Sequence, residues 1–242
     1  MNKLAVFASG RGSNFRAILD HTKMRILQNV DVSLLIANDP NAPVIALAEE
    51  NKIPVVVLEG IQGKKFATKQ EREKARTSFD ELALGTLREN RIDLVALAGF
   101  MQVLGRTLVD AYKYRIMNIH PAKDIARFGG RGMYGERVHE AVLRSGVKES
   151  GCTIHYVDES VDGGPIILQT TVPVEATDTP ETLAHRILIQ EHRTYSKAIQ
   201  LHVDGRIKVV GGKTLIDWSG GWEEQWNQKQ EALIKHQQAT MG

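Results

Sequence analysis

Apolar positions recur along this chain at two periods. Four short apolar runs, "KLAVFAS", "DVSLLIAND", "IPVVVLE" and "IDLVALAGF", read as buried strands, and each leads into a stretch with helical apolar spacing. The first is followed by a glycine turn and then by "SNFRAILDHTKMRIL", where Phe15, Ile18, Leu19 and Ile26 predict one apolar helix face. The others lead into "APVIALAEENK", a charged helical stretch through "ARTSFDELALGTLREN", and "RTLVDAYKY". Strands apolar on both faces, alternating with helices, predict an α/β fold with a doubly wound, mostly parallel, Rossmann-like sheet.

After Ile116 the pattern changes. "GCTIHYVDES", "PIILQTTVPV" and "IKVVGGKTLID" read as strands separated by a single long helical stretch, "TPETLAHRILIQEHRTYSKAIQLHV". They predict antiparallel strands extending the sheet in the C-terminal half. The three tryptophans lie from Trp218 onward at four-residue spacing, and Gly220 and Gly221 predict that any helix there begins after them. The expectation for this tail is a partly helical segment docked on its own domain.

Composition narrows the class of partner. The chain has 242 residues with 42% hydrophobic content, enough for a substantial core. Its 31 basic and 29 acidic residues are interspersed, with no basic stripe that would track a phosphate backbone, so nucleic acid is not an expected partner. Cys152 is the single cysteine, which fits a reducing compartment and excludes an internal disulfide. With no run approaching a membrane span and no signal-peptide pattern, the expected setting is cytoplasmic, with no membrane partner.

Two stretches carry candidate chemistry. "SGRGSN" lies between the first strand and first helix, where free amides and the helix dipole favour an anion. A dinucleotide fingerprint requires glycine at position 15, which is Phe15 here, and no P-loop Lys-Ser/Thr pair follows. A single phosphomonoester fits better, met by Gly10, Arg11, Gly12, Ser13 and Asn14; a plain tight turn with Ser13 as helix cap is the competing reading.

The second stretch is "NIHP". Alternation along a strand puts Asn118 and His120 on one side at the carboxyl end, where open α/β sheets place their sites, and Pro121 stops the strand. "ESVDGGPI" supplies Asp162 from a turn between two strands. A neutral histidine moves a proton, a carboxylate orients it, and an amide donates to an oxyanion. This set suits acyl-type transfer to an amine with neither metal nor covalent intermediate. No H-E-x-x-H spacing, thiolate cluster or G-x-S-x-G elbow competes.

"SGRGSN", "LVALAGFMQVL", "MNIHP", "GCTIHYVDESVDGGPIILQ" and "QEHRTY" also occur in an order and spacing that resemble the phosphoribosylglycinamide formyltransferase family, up to about Asp217. The resemblance implies attack of the amine of 5'-phosphoribosylglycinamide on the formyl carbon of 10-formyltetrahydrofolate, in purine biosynthesis. It implies catalytic roles for Asn118, His120 and Asp162, ribose phosphate at the glycine turn, and substrate contacts from Pro121 and Glu191. Folate would lie along Met101, Gln102, Val103 and Leu104 and the loop of Val157, Asp158, Glu159 and Ser160, with Arg76 near its glutamate tail. The family expectation of "S-L-L-P" after "NIHP" is not met, because this chain reads "AKDIARFGG". Leu188 and Gln102 are lesser departures. The four glycines around "FGGRGMYG" predict a mobile loop that closes over a ligand.

The resulting expectation is a single formyltransferase domain over 1–217, with a phosphate-binding half to about 115, a catalytic and folate half from 116, and a tail over 218–242. It would act as a monomer or homodimer. Rival readings are a 10-formyltetrahydrofolate hydrolase, a formyltransferase with another amine acceptor, and a non-catalytic nucleotide-binding module.

Overall fold

A computed structural model describes residues 1–61 and 63–240, giving only the helical path over 233–240. Met241 and Gly242, the end of the tail considered above, lie outside the described residues. The strands are β1 (Asn2–Ala8), β2 (Val30–Ala37), β3 (Val55–Val57), β4 (Leu94–Leu97), β5 (Ile116–His120), β6 (Glu149–Tyr156), β7 (Ile166–Pro173), β8 (Ile207–Val210) and β9 (Lys213–Ile216). The helices are α1 (Ser13–Lys23), α2 (Val44–Glu50), α3 (Lys69–Glu89), α4 (Arg106–Ala111), α5 (Ile125–Phe128), α6 (Glu136–Ser145), α7 (Pro180–Val203) and α8 (Trp222–Thr240).

Among the described residues, seven strands form one sheet in the order β3-β2-β1-β4-β5-β6-β7. β1 to β5 pair in parallel, whereas β6 and β7 join antiparallel. Alternation along β1 divides the core. Leu4, Val6 and Ala8 face one layer with α1, α2, α6 and α7, while Ala5 and Phe7 face the other with α3 and α4.

The chain reverses its direction of growth between β1 and β4, so their carboxyl ends open a crevice. Ser9 N–H donates to Gly99 O across that crevice at 3.1 Å, and the Tyr195 hydroxyl from α7 lies 3.0 Å from Leu97 O and 2.9 Å from Met117 O. This buried hydroxyl ties α7 to the strand ends on which the crevice is built.

Two local expectations are corrected. The first helix stops at Lys23, so Ile26 is buried from the following turn, where Arg25 takes a positive φ of 57°. The segment 207–216 does not extend the sheet: among the described residues, β8 and β9 pair only with each other. Its four-residue strands alternate partly buried and exposed positions, and the Thr214 hydroxyl donates to Ile166 O instead of forming a ladder with β7.

The tail turns back onto the domain. Trp222 and Trp226 are buried and stacked, with ring centroids 5.5 Å apart, and Trp222 Nε1 donates to Asp204 at 2.7 Å. The helix begins after Gly220 and Gly221, leaving Trp218 partly exposed beside Lys197.

Candidate active site

An open cleft of about 1280 Å³ lies over the carboxyl ends of β1, β4 and β5. At one end stands the glycine turn. Gly12, not Ser13, occupies the N-cap of α1, at φ +76°, so no side chain covers the free amides of the first turn. A Cβ on Gly12 would come within 2.5 Å of Val44 Cγ2, so this position requires glycine for space as well as for backbone conformation. Gly10, Arg11, Gly12, Ser13 and Asn14 all line the cleft. Asn14 Nδ2 donates to Glu191 Oε2 at 2.7 Å, while Asn14 Oδ1 has no partner among the described residues. Burial raises the Glu191 carboxyl pKa above the usual range, with Asn14 opposing the shift.

β5 brings Asn118 and His120 to the middle of the cleft, with Ile119 turned into the opposite core layer. Asp162 reaches them from the β6–β7 turn at φ 56°, a left-handed conformation that aspartate tolerates better than most residues. The turn is held closely: a Cβ on Gly164 would come within 1.9 Å of Tyr156 O.

His120 Nε2 lies 2.8 Å from Phe128 O, and because a carbonyl only accepts, this nitrogen carries the proton. Nδ1 therefore keeps its lone pair and faces Asp162 Oδ2 at 3.6 Å. Gly130 N–H donates to the same Asp162 oxygen at 2.9 Å. The atypical stretch after "NIHP" thus supplies two backbone partners to the site. Asp124 caps the short helix α5 within it, and Phe128 is buried.

Burial lowers the His120 pKa, with Asp162 and the Phe128 carbonyl pulling it back and His155 adding to the lowering; the ring is neutral at pH 7. For Asp162, burial works against ionisation, but the carboxyl is held below the usual carboxylate range, with the Gly130 N–H donating to it. A neutral imidazole therefore faces an ionised carboxylate.

The structure adds a residue to which sequence reasoning assigned no role. His155 on β6 stands directly across from Asn118 in the β5–β6 register and is 2% exposed. Its Nε2 lies 3.1 Å from Asn118 Nδ2 and 3.6 Å from Asp162 Oδ1. The antiparallel register is the signal that would have found it.

At the far end of the cleft, Met101, Gln102, Val103 and Leu104 line one side, and Val157, Asp158 and Ser160 line the other. The first segment is fixed by Asp80 on α3, whose carboxylate accepts from Gly105 N at 3.0 Å and Leu108 N at 3.3 Å. Arg76 and Pro121 also line the cleft. Arg76 Nε and Gln102 Nε2 are buried without partners among the described residues, while Gln102 Oε1 accepts from Ile61 N at 2.7 Å. Glu159 does not line the cleft: it accepts from Arg106 Nε at 2.8 Å on the exposed side of its loop. Among the described residues, no group of three or more His, Cys, Asp and Glu side chains is placed to hold a metal ion.

A formyl transferase profile matches residues 2–199. A phosphoribosylglycinamide formyltransferase of Bacillus subtilis is 39% identical over 202 residues, which are 83% of this chain and 94% of that protein. The chain belongs to the phosphoribosylglycinamide formyltransferase family. A chloroplastic member from Arabidopsis thaliana is 42% identical over 85% of this chain and 67% of its own length. A chloroplastic member from Vigna unguiculata is 40% identical over 85% of this chain, which spans 62% of that relative. Among solved structures, glycinamide ribonucleotide transformylase 1 from Symbiobacterium toebii superposes with a TM-score of 0.78 at 34% identity, covering 89% of this chain and 94% of that one. Formyltransferase family membership thus agrees with a fold that gathers its polar groups over the parallel strand ends.

Proposed function

We propose that this protein transfers the formyl group of 10-formyltetrahydrofolate to the amine of 5'-phosphoribosylglycinamide, as a step of purine biosynthesis. The observation that carries this reading is the meeting of Asn118, His120 and Asp162 in one cleft with the uncapped start of α1. Family membership supplies formyl transfer and a formyl-folate co-substrate.

The substrate's ribose phosphate would accept from the free amides of the glycine turn, aided by Arg11, while Glu191 and Asn14 meet its ribose or glycinamide end. The folate would lie between the 101–104 segment and the 157–160 loop. Unpartnered Gln102 Nε2 and Arg76 Nε leave polar capacity for it there.

The amine nitrogen attacks the formyl carbon, and the carbonyl oxygen becomes an oxyanion that accepts from an Asn118 N–H. The attacking nitrogen loses a proton toward His120 Nδ1, whose imidazolium is stabilised by Asp162. Collapse of the intermediate breaks the bond from carbon to the folate nitrogen, which leaves with a proton. The Phe128 carbonyl fixes the His120 ring, and Asp162 can relay that proton through water.

The reading extends to a single formyltransferase domain over 1–217 with the docked tail, working on small molecules as a monomer or homodimer, without nucleic acid. A reducing, cytoplasmic setting is supported by the lone buried Cys152, and no described helix is long and apolar enough to cross a membrane.

The test is to mix the protein with 10-formyltetrahydrofolate, with and without 5'-phosphoribosylglycinamide, and follow tetrahydrofolate by absorbance. Turnover that requires the ribonucleotide is expected. Equal turnover without it would replace the transferase with a hydrolase, and no turnover in either case would refute both.

A further inference from the structure

His155 and Asn118 form a hydrogen-bonded pair whose polarity can be assigned. His155 Nδ1 lies 2.9 Å from Tyr156 O. Because a carbonyl only accepts, Nδ1 must carry a ring proton, and in the tautomer this contact selects Nε2 is the acceptor. Its partner at 3.1 Å is therefore a donor, the Asn118 amide nitrogen. The second Asn118 amide hydrogen goes to Asp162 Oδ1 at a longer 3.3 Å.

The amide group of an asparagine has two ends of nearly equal shape, and turning it over would place an oxygen where an oxyanion donor is required. Two acceptors on one side, His155 Nε2 and Asp162 Oδ1, prevent that. They are not equivalent. His155 is 2% exposed, lies on β6 opposite Asn118, and is tied to its own strand through Tyr156 O. Asp162 stands on a turn and serves His120 and Gly130 as well.

We infer that His155 is a positioning residue: it holds one Asn118 amide hydrogen permanently, so that the other can leave Asp162 Oδ1 and meet the developing oxyanion. This rests on the formyl-transfer reading, in which Asn118 is the oxyanion donor. The backbone carbonyl of Tyr156 sets the histidine tautomer, and the tautomer sets the direction of the asparagine.

Two polar substitutions separate this role from packing. Gln at position 155 places an acceptor near the former Nε2, whereas Asn reaches only the region of Nδ1. With 10-formyltetrahydrofolate and 5'-phosphoribosylglycinamide, His155→Asn is expected to lower kcat by roughly 10- to 100-fold with little change in either KM, since an oxyanion donor misdirected is an interaction lost in the transition state. His155→Gln is expected to retain kcat within about fivefold, because the acceptor is restored. In an Asn118→Ala background, His155→Asn should have little further effect on kcat.

Equal losses in the Gln and Asn variants, or an undiminished His155→Asn effect without Asn118, would overturn the inference. Thermal melting of every variant shows whether a loss reflects unfolding, and long-range proton–nitrogen NMR of the wild-type histidine rings reads the tautomer without any substrate. A His155 ring protonated on Nδ1 is expected; one protonated on Nε2 would overturn the assignment even if turnover is normal. Absence of wild-type turnover would instead refute the formyl-transfer reading and leave the tautomer measurement standing as a separate test of the structural pair.

Discussion

At the scale of single residues, the site depends on which atoms hold protons. His120 donates through Nε2 to Phe128 O, and its Nδ1 lone pair faces Asp162. Burial lowers the His120 pKa, so the acid limb of the rate profile is expected below the ordinary histidine value of about 6.5. Asp162 raises that pKa, so Asp162→Asn should shift the limb to still lower pH while reducing kcat; an upward shift in a pH–rate series would contradict the assignment. His120→Ala is expected to reduce kcat at least about 100-fold, the range of a lost general base, and steady-state kinetics of the folded variant checks it. The alternation of "NIHP" already placed Asn118 and His120 together in the sequence, and the DGG turn offered Asp162. His155 was not legible as a partner because its closeness to Asn118 depends on the register of strands 37 residues apart. Glu159 was misplaced for a related reason: Asp158 accepts from Ser160 N–H at 2.8 Å, and that tight turn sends Glu159 outward to Arg106.

At the scale of elements, the four strand–helix units were legible because buried parallel strands are apolar on both faces. The β8–β9 hairpin was not, since alternation alone does not say which edge a strand joins. At the start of α1, Gly12 takes the capping position that Ser13 could have filled, a choice the sequence left open. Gly12→Ala combines strain at φ +76° with a collision at Val44, and should raise KM for the ribonucleotide more than tenfold while affecting KM for the folate less. Equal changes in both constants would argue against a phosphate at this turn. The 128–135 loop is pinned at one end by Phe128 O and Gly130 N, but Arg131 beyond them is exposed. Trypsin cleavage after Arg131 is expected to slow when both substrates are bound, and an unchanged rate would remove the loop's closing role.

At the scale of the whole molecule, the balance of buried histidines makes stability depend on acidity. Burial lowers the pKa of His21 to about 4, with His192 and Arg193 adding to the effect, and burial lowers that of His139 to about 4, with His120 adding. The unfolded chain binds these protons at about 6.5, so folding stability is expected to fall as pH drops from about 6.5 toward 4 and to be independent of these groups above that range. Each histidine contributes up to roughly 3 kcal/mol over the window, and His21→Gln should flatten the decline in urea unfolding between pH 7 and 5. A stability unchanged across that interval would contradict the burial of these rings. The composition had excluded nucleic acid as an expected partner and had marked a reducing setting, but the docking of Trp222 and Trp226 needed the fold, because only the third dimension brings Asp204 to the indole.

The most direct test of formyl transfer is to supply 10-formyltetrahydrofolate labelled with carbon-13 in the formyl group, together with 5'-phosphoribosylglycinamide, and to follow the label by mass spectrometry. The account predicts its recovery on the amine nitrogen of the ribonucleotide, one label per tetrahydrofolate formed, with the rate greatly reduced in His120→Ala. Label appearing as free formate, or remaining entirely on the folate, would contradict it.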